Sequence, residues 1–237
     1  LLNISTLNRH GMRISNIVTM PDTEIIQKVT EITGNAGDHE SHINSLVLSM
    51  IDLNEDTFER TLSNAIFKIG FEKTVTHILY PFLEKVGVLW QIGSINPAQE
   101  HFIVSLIRQK LIVAIDAQES KPLPETKTFL LFLPEKELHE LGLLFYSYLL
   151  KKNGFRVIYL GQSVPFDDLI EVLKIRNADY LLTYFVAALA PEEIPDYLNK
   201  ISRSLPDKKI WISGIQTSMQ SLKHPPNVLI IKNAESF

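Results

Sequence analysis

The sequence contains no cysteine, which removes disulfides, thiolate nucleophiles and thiolate-held zinc from consideration. It also lacks any apolar run approaching the ~18 residues of a membrane span, and its richest stretches, such as Leu143 to Leu150, are the size of a core element. No membrane association is expected. A large net charge is missing as well: −4 over 237 residues gives the whole chain no electrostatic reason to coat a phosphate backbone. The exception is local, because Leu1 to Met20 holds Arg9, His10 and Arg13 and no acidic residue. Any nucleic-acid contact would be sought there. Neither an initiating Met nor a basic-then-apolar leader is present, so the chain reads as a fragment of a longer protein rather than a secreted precursor, and the missing cysteines agree with a cytoplasmic home. With 45% hydrophobic and 21% charged residues, what remains is an ordinary soluble composition with apolar material for two small cores.

The chain divides by its punctuation. Leu1 to Gly34 reads as short helices broken at Gly11 and Pro21, with Ile25, Ile26, Val29 and Ile32 as one apolar face. Ala36 to Glu40 reads as a linker. From Ser41 the period is helical: Ile43, Leu46, Val47 and Met50-Ile51 form a stripe, and Asn54 and Asp56 start a second helix that runs to Ile69. Phe71 to Ile92 is a third, with Pro81 expected to kink it or mark its start, and Asn96 to about Ala117 a fourth. Four helices with short joints predict an antiparallel bundle. Ser120 to Thr126, with Pro122 and Pro124, is a second linker.

Beyond it, apolar strand-like runs alternate with helical ones. The strands are Lys127 to Leu133, Phe155 to Leu160, Tyr180 to Tyr184, Lys209 to Ser213 and Val228 to Ile231. That alternation predicts an α/β fold with a parallel sheet covered on both faces. Ligands of such sheets bind beyond the carboxyl ends of the strands. His139, Gly161, Thr183 and Ser213-Gly214 all fall at those ends, in four loops.

Two clusters carry chemistry. In Glu137-Leu138-His139-Glu140-Leu141-Gly142 an imidazole sits in a strand-to-helix loop with a carboxylate two residues upstream and a glycine three residues downstream. A histidine that ligates a metal through one ring nitrogen wants the other N–H held by a carboxylate, and Glu137 can be that holder. The second cluster lies at the joint of helices three and four. Trp90 sits in the last turn before Gly93, while Asn96-Pro97-Ala98-Gln99 supplies an N-cap, a first-turn proline and a capping-box glutamine, leaving Glu100 and His101 in the next helix's first turn or so. Taken singly, Trp90 is a packing anchor and Glu100 a dipole-favoured acid. As a trio at one end of a bundle they suit a ligand better than a core.

The first cluster resembles the Asp-x-His-x-x-Gly signature of cobalamin-binding domains, which is followed by Ser-x-Leu and Gly-Gly. Thr183-Tyr184-Phe185 and Ser213-Gly214 stand in that order here, with Glu137 for Asp, Thr183 for Ser, Phe185 for Leu and Ser213 for the first Gly. The second resembles the Trp, Glu-His set of cobalamin-dependent photoreceptor regulators of the CarH and LitR type, matched at Trp90, Glu100 and His101. Where the best-known members have a His after the Trp, this chain has Gln91, which is no strong cobalt ligand. Leu7 to Ile17 is similar to the end of a MerR-type winged-helix domain.

The resemblance implies three parts: residues 1–35 as the remnant of a DNA-binding domain, 36–120 as a four-helix bundle capping the upper face of the cofactor, and 121–237 as a flavodoxin-like, five-stranded cobalamin-binding domain. His139 would be the lower cobalt ligand, its ring oriented by Glu137. Gly142, Gly161, Thr183, Phe185, Ser213 and Gly214 would surround the nucleotide tail, and Trp90, Gln91, Glu100 and His101 the upper ligand. The implied cofactor is adenosylcobalamin, with methylcobalamin as the alternative. The implied function is a light-responsive transcriptional regulator rather than an enzyme, a homo-oligomer whose longer form binds operator DNA. Two rival readings are a corrinoid methyl carrier of a methyltransferase system and a degenerate domain that binds no corrin.

Overall fold

Helical periodicity governs the first half of the chain. The computed structural model describes residues 20–21, 39–118, 125–187, 192–219, 222–232 and 234. The expected remnant at 1–35 therefore lies outside the described residues, apart from two of them. Helix α1 covers residues 39–51, so His39 and Glu40, expected in a linker, are already helical. Its stripe buries Leu46 and Met50 completely but leaves Ile51 exposed at the helix end. Helix α2 (Glu55–Ile69) starts where Asn54, in extended backbone, accepts the Thr57 N–H on its side chain; Phe58, Leu62 and Ala65 form its inner face.

Pro81 stands in the first turn of a new α-helical segment that follows a π turn. Helix α3 (Phe71–Thr74) runs into a π turn at Val75–Leu79 and then into α4 (Tyr80–Gln91), where proline takes one of the first helical positions. Proline cannot donate within a helix. The chain answers with one widened turn, in which the Tyr80 N–H reaches the Val75 carbonyl. Helix α5 (Pro97–Asp116) begins with a reciprocal capping box: Asn96 Oδ1 accepts the Gln99 N–H at 3.1 Å and Gln99 Oε1 accepts the Asn96 N–H at 3.0 Å. Gln99 also donates its amide to the Ile51 carbonyl at 2.9 Å, tying the start of α5 to the end of α1.

Two compact units result, the first ending at Ile103 and the second beginning at Val104, so the division falls inside α5, upstream of the linker at which the sequence suggested it. In the second unit β1 (Thr128–Pro134) leads to α6 (Leu141–Lys152), β2 (Arg156–Val164), α7 (Phe166–Ile175), β3 (Tyr180–Tyr184), α8 (Glu193–Ser204), β4 (Lys209–Ser213), α9 (Ile215–Met219) and β5 (Val228–Ile230). The five strands are parallel throughout and ordered β2-β1-β3-β4-β5. This is the flavodoxin-like order, and its direction reverses between β1 and β3, the place where ligands of such sheets bind.

The sheet's two faces have different partners. Leu130, Phe132, Leu181, Ile210 and Ile212 form one core with Leu169 of α7 and Ile194, Leu198 and Ile201 of α8. Alternation turns Tyr180, Leu182 and Tyr184 to the other face, where the Tyr180 ring stacks on Phe129 at 4.6 Å and meets Trp211 edge-on at 5.3 Å. Helix α6 is buried on every side from Gly142 to Leu150, a central element rather than an amphipathic cover. Among the described residues no helix is long and apolar enough to cross a membrane.

Candidate functional site

The loop leaving β1 carries Glu137 and His139 to the reversal point of the sheet, and Glu137 is its keystone. Its side chain is only 4% exposed. One carboxylate oxygen accepts the His139 backbone N–H at 3.0 Å and pairs with His139 Nδ1 at 2.6 Å. The other accepts the N–H groups of Val186 and Ala187, each at 2.8 Å, from the loop that leaves β3. The carboxylate thus bridges the two loops that flank the reversal point. Burial alone would raise its pKa, but the bonds from the His139 ring and from the Ala187, Val186 and His139 N–H groups outweigh it and hold the carboxyl at about 2.

That ionised partner fixes the imidazole. With Nδ1–H donated to Glu137, Nε2 is the nitrogen on the opposite side of a ring that is 55% exposed. The rest of the loop is clamped from β2: Ser163 donates its N–H to the Glu137 carbonyl at 3.1 Å, Ser163 Oγ accepts the Lys136 N–H at 3.0 Å, and Gln162 Nε2 donates to the Leu138 carbonyl at 2.6 Å. On its far side the buried Glu140 accepts Arg108 Nε from α5 at 2.5 Å and the Tyr159 hydroxyl at 2.9 Å. Glu140 raises the Arg108 pKa through their hydrogen bond and charge, and burial pushes the Tyr159 phenol up.

The other expected site residues separate once placed. Gly161 is not in a loop: β2 runs on to Val164, and Gly161, at φ 84°, sits where the register against β1 slips between Leu131 and Phe132. It is a bulge glycine that lets the end of β2 lie along the His139 loop. Thr183 follows Leu181 by two residues on β3 and shares its face, toward α7 and α8, away from Gly142. Its hydroxyl is fully buried and has no hydrogen-bond partner among the described residues. Phe185 lies in that same core.

Gly214 is a glycine for a backbone reason. Its φ is 111°, and a Cβ there would stand 2.2 Å from the Phe185 carbonyl oxygen. Ser213 donates its hydroxyl to the Ile231 carbonyl at 2.9 Å and bonds the Tyr146 hydroxyl at 3.0 Å. The space above Gly142 holds Tyr184, since a Cβ on Gly142 would come within 2.4 Å of that ring. Sequence reasoning passed over Tyr184, Tyr146 and the Arg108–Glu140–Tyr159 network. Strand alternation is the one signal that could have pointed to Tyr184 instead of Thr183.

In the first unit Trp90 stands in the last turn of α4 with 54% of its surface exposed, Gln91 at the helix end is exposed beside it, and Glu100 and His101 lie in the first two turns of α5. Residues 92–96 join these two helix ends, closed by the Gly93 N–H on the Trp90 carbonyl at 3.0 Å and the Ser94 N–H on the Leu89 carbonyl at 2.9 Å. The trio therefore lies at one end of the helical unit, beside a short joint.

The donor set at His139 suits a metal that arrives with most of its ligands. Among the described residues no three His, Asp or Glu side chains are grouped to hold an ion. An oriented imidazole can still supply one ligand to a metal that a cofactor already holds.

Residues 42–114 match the B12 binding domain family. Over 143 residues, 60% of this chain, the sequence is 32% identical to the HTH-type transcriptional repressor CarH of Myxococcus xanthus, covering 47% of it. Over 163 residues, 69% of this chain, it is 31% identical to the repressor CarA of the same organism, covering 54%. The chain thus spans about half the length of each repressor. In fold it is similar to the Methanosarcina barkeri monomethylamine corrinoid protein, with a TM-score of 0.61, 16% identity, and coverage of 83% of this chain and 95% of that one. By these likenesses residues 42–114, in the helical part of the chain, resemble a B12 binding domain, and the chain is similar over 143 to 163 residues to two HTH-type transcriptional repressors.

Proposed function

We propose that the chain is the sensor portion of a cobalamin-dependent transcriptional regulator, and that His139 would hold its cobalt through Nε2. The observation that carries this is the Glu137–His139 pair at the reversal point of the sheet, bonded at 2.6 Å and anchored to both flanking loops. Glu137 holds the Nδ1 proton, which fixes the tautomer and makes Nε2 the stronger donor. Recognition of the upper axial group, adenosyl rather than methyl, we assign to Trp90, Glu100 and His101. When bound, adenosylcobalamin would supply a light-labile cobalt–carbon bond.

In this reading the protein is a switch and not an enzyme. Trp90, Glu100 and His101 would contact the upper group only while it is present, which would give two assembly states different stabilities with and without it. Operator DNA and a homo-oligomeric dark state belong to the longer protein. Gln91 gives no imidazole beside Trp90, so position 91 would supply no histidine to cobalt.

The test is reconstitution with adenosylcobalamin in the dark, followed by green light. The reading requires a histidine-ligated absorption spectrum that His139→Ala abolishes, a spectral change on illumination, and a change in oligomer size with it. Tight methylcobalamin binding with methyl transfer to an acceptor, and no response to light, would favour a methyl carrier instead. A spectrum indifferent to His139→Ala would sink both.

A further inference from the structure

Tyr184 stands where a corrinoid bound through His139 would have to put its tail. In a cobalamin the nucleotide is tethered to the lower face of the corrin, the face that His139 would approach. Once displaced from cobalt, that nucleotide has to descend beside the imidazole, into the space between the start of α6 and the end of β3. Gly142 marks this place, three residues after His139, and Tyr184 is the last residue of β3.

That space is filled from within. A Cβ on Gly142 would lie 2.4, 2.6 and 2.9 Å from three carbons of the Tyr184 ring, so the glycine's missing side chain is already used by the phenol. The Tyr146 ring, one turn further along α6, lies 6.1 Å from that of Tyr184. The polar groups alongside are spent on one another: Tyr146 and Ser213 bond at 3.0 Å, and Ser213 donates to Ile231 at 2.9 Å. Burial, with Tyr146 and the Glu137 carboxylate close by, pushes the Tyr184 phenol pKa up, as expected for a ring packed beside the Glu137–His139 pair.

We infer that Tyr184 is a specificity-determining residue: it occupies the lower-nucleotide space and makes this chain favour corrinoids with a short or absent tail over those with a complete one. The inference rests on the reading that a corrinoid binds through His139. A full nucleotide has to displace the ring, and exposing what is covered of this partly buried tyrosine is worth roughly tenfold in affinity.

The experiment compares aquocobalamin with diaquocobinamide, the same corrin without the nucleotide, by absorption titration of the wild-type chain, Tyr184→Ser and Tyr184→Phe. The expected result is wild-type and Tyr184→Phe binding cobinamide about tenfold or more tighter than cobalamin, with Tyr184→Ser gaining about tenfold for cobalamin and leaving cobinamide nearly unchanged. Should the serine variant fail to fold, Tyr184→Leu should move the ratio in the same direction by a smaller factor. A ratio that stays constant across the variants, or a wild-type chain that prefers cobalamin, overturns the inference and leaves the His139 reading standing. Binding of neither corrinoid by any variant overturns both together.

Discussion

Replacing Glu137 by Gln tests the centre of the site in the unloaded chain. Each carboxylate oxygen faces two N–H groups: His139 N and Nδ1 on one side, Val186 N and Ala187 N on the other. Whichever way a glutamine amide sits, its NH2 meets donors where an acceptor stood. The carboxyl's pKa is 4.5 in the unfolded chain and about 2 in the fold, so at neutral pH its ionised form contributes about 3 kcal/mol of stability. Between those two values the unfolded state binds the proton and the folded state does not, so this contribution is complete above pH 4.5 and disappears as the pH falls toward 2. Urea unfolding, followed by Trp211 fluorescence in a Trp90→Phe background, reads the second unit. The expected outcome is a loss of about 2 to 3 kcal/mol in Glu137→Gln at pH 7, falling to about 1 kcal/mol at pH 3 and toward nothing at pH 2. A gap between the two proteins that stays the same from pH 7 to pH 3 would show that the Glu137 bonds do not carry the charge as argued.

Two other outcomes follow from local geometry. Gly214→Ala should cost about 3 kcal/mol or more, because the residue combines a φ of 111° with a Cβ position 2.2 Å from the Phe185 carbonyl oxygen; denaturant titration measures it. Asn96→Ala should lower the stability of the helical unit by about 1 kcal/mol through loss of the capping bond to Gln99, read as a fall in its melting temperature.

Much of the fold was legible because its signals are local. Tyr180–Tyr184 and Lys209–Ser213 are strands at the bounds the sequence suggested, each an apolar run between polar residues. The capping box at Asn96 and Gln99 needs only four consecutive residues and formed as read. The length of β2 was not legible, because Gly161 reads as a stop and only the clamps from Gln162 and Ser163 to the His139 loop explain why the strand continues. Glu137 beside His139 is a two-residue fact. Its two further bonds come from residues 49 and 50 positions away and needed the fold.

The glycines show why a motif was a partial guide. Gly142 and Gly214 mark places where no side chain fits, taken by the Tyr184 ring and the Phe185 backbone, whereas Gly161 has room for a Cβ and is called for by its φ of 84° in a strand bulge. A sequence records that room is needed, not who uses it. The Gly142 case yields a quantitative check, because its occupant can be removed. In the wild-type chain Gly142→Ala drives a methyl into the Tyr184 ring and should cost about 2 kcal/mol. In a Tyr184→Ser background the same change meets no ring and should gain about 0.5 to 1 kcal/mol from helix propensity in α6. The double-mutant cycle measured by urea unfolding should therefore show a coupling of about 2 to 3 kcal/mol. Additive effects would mean that the ring is not what Gly142 makes room for, and Tyr184 would lose its claim to the space beside the histidine.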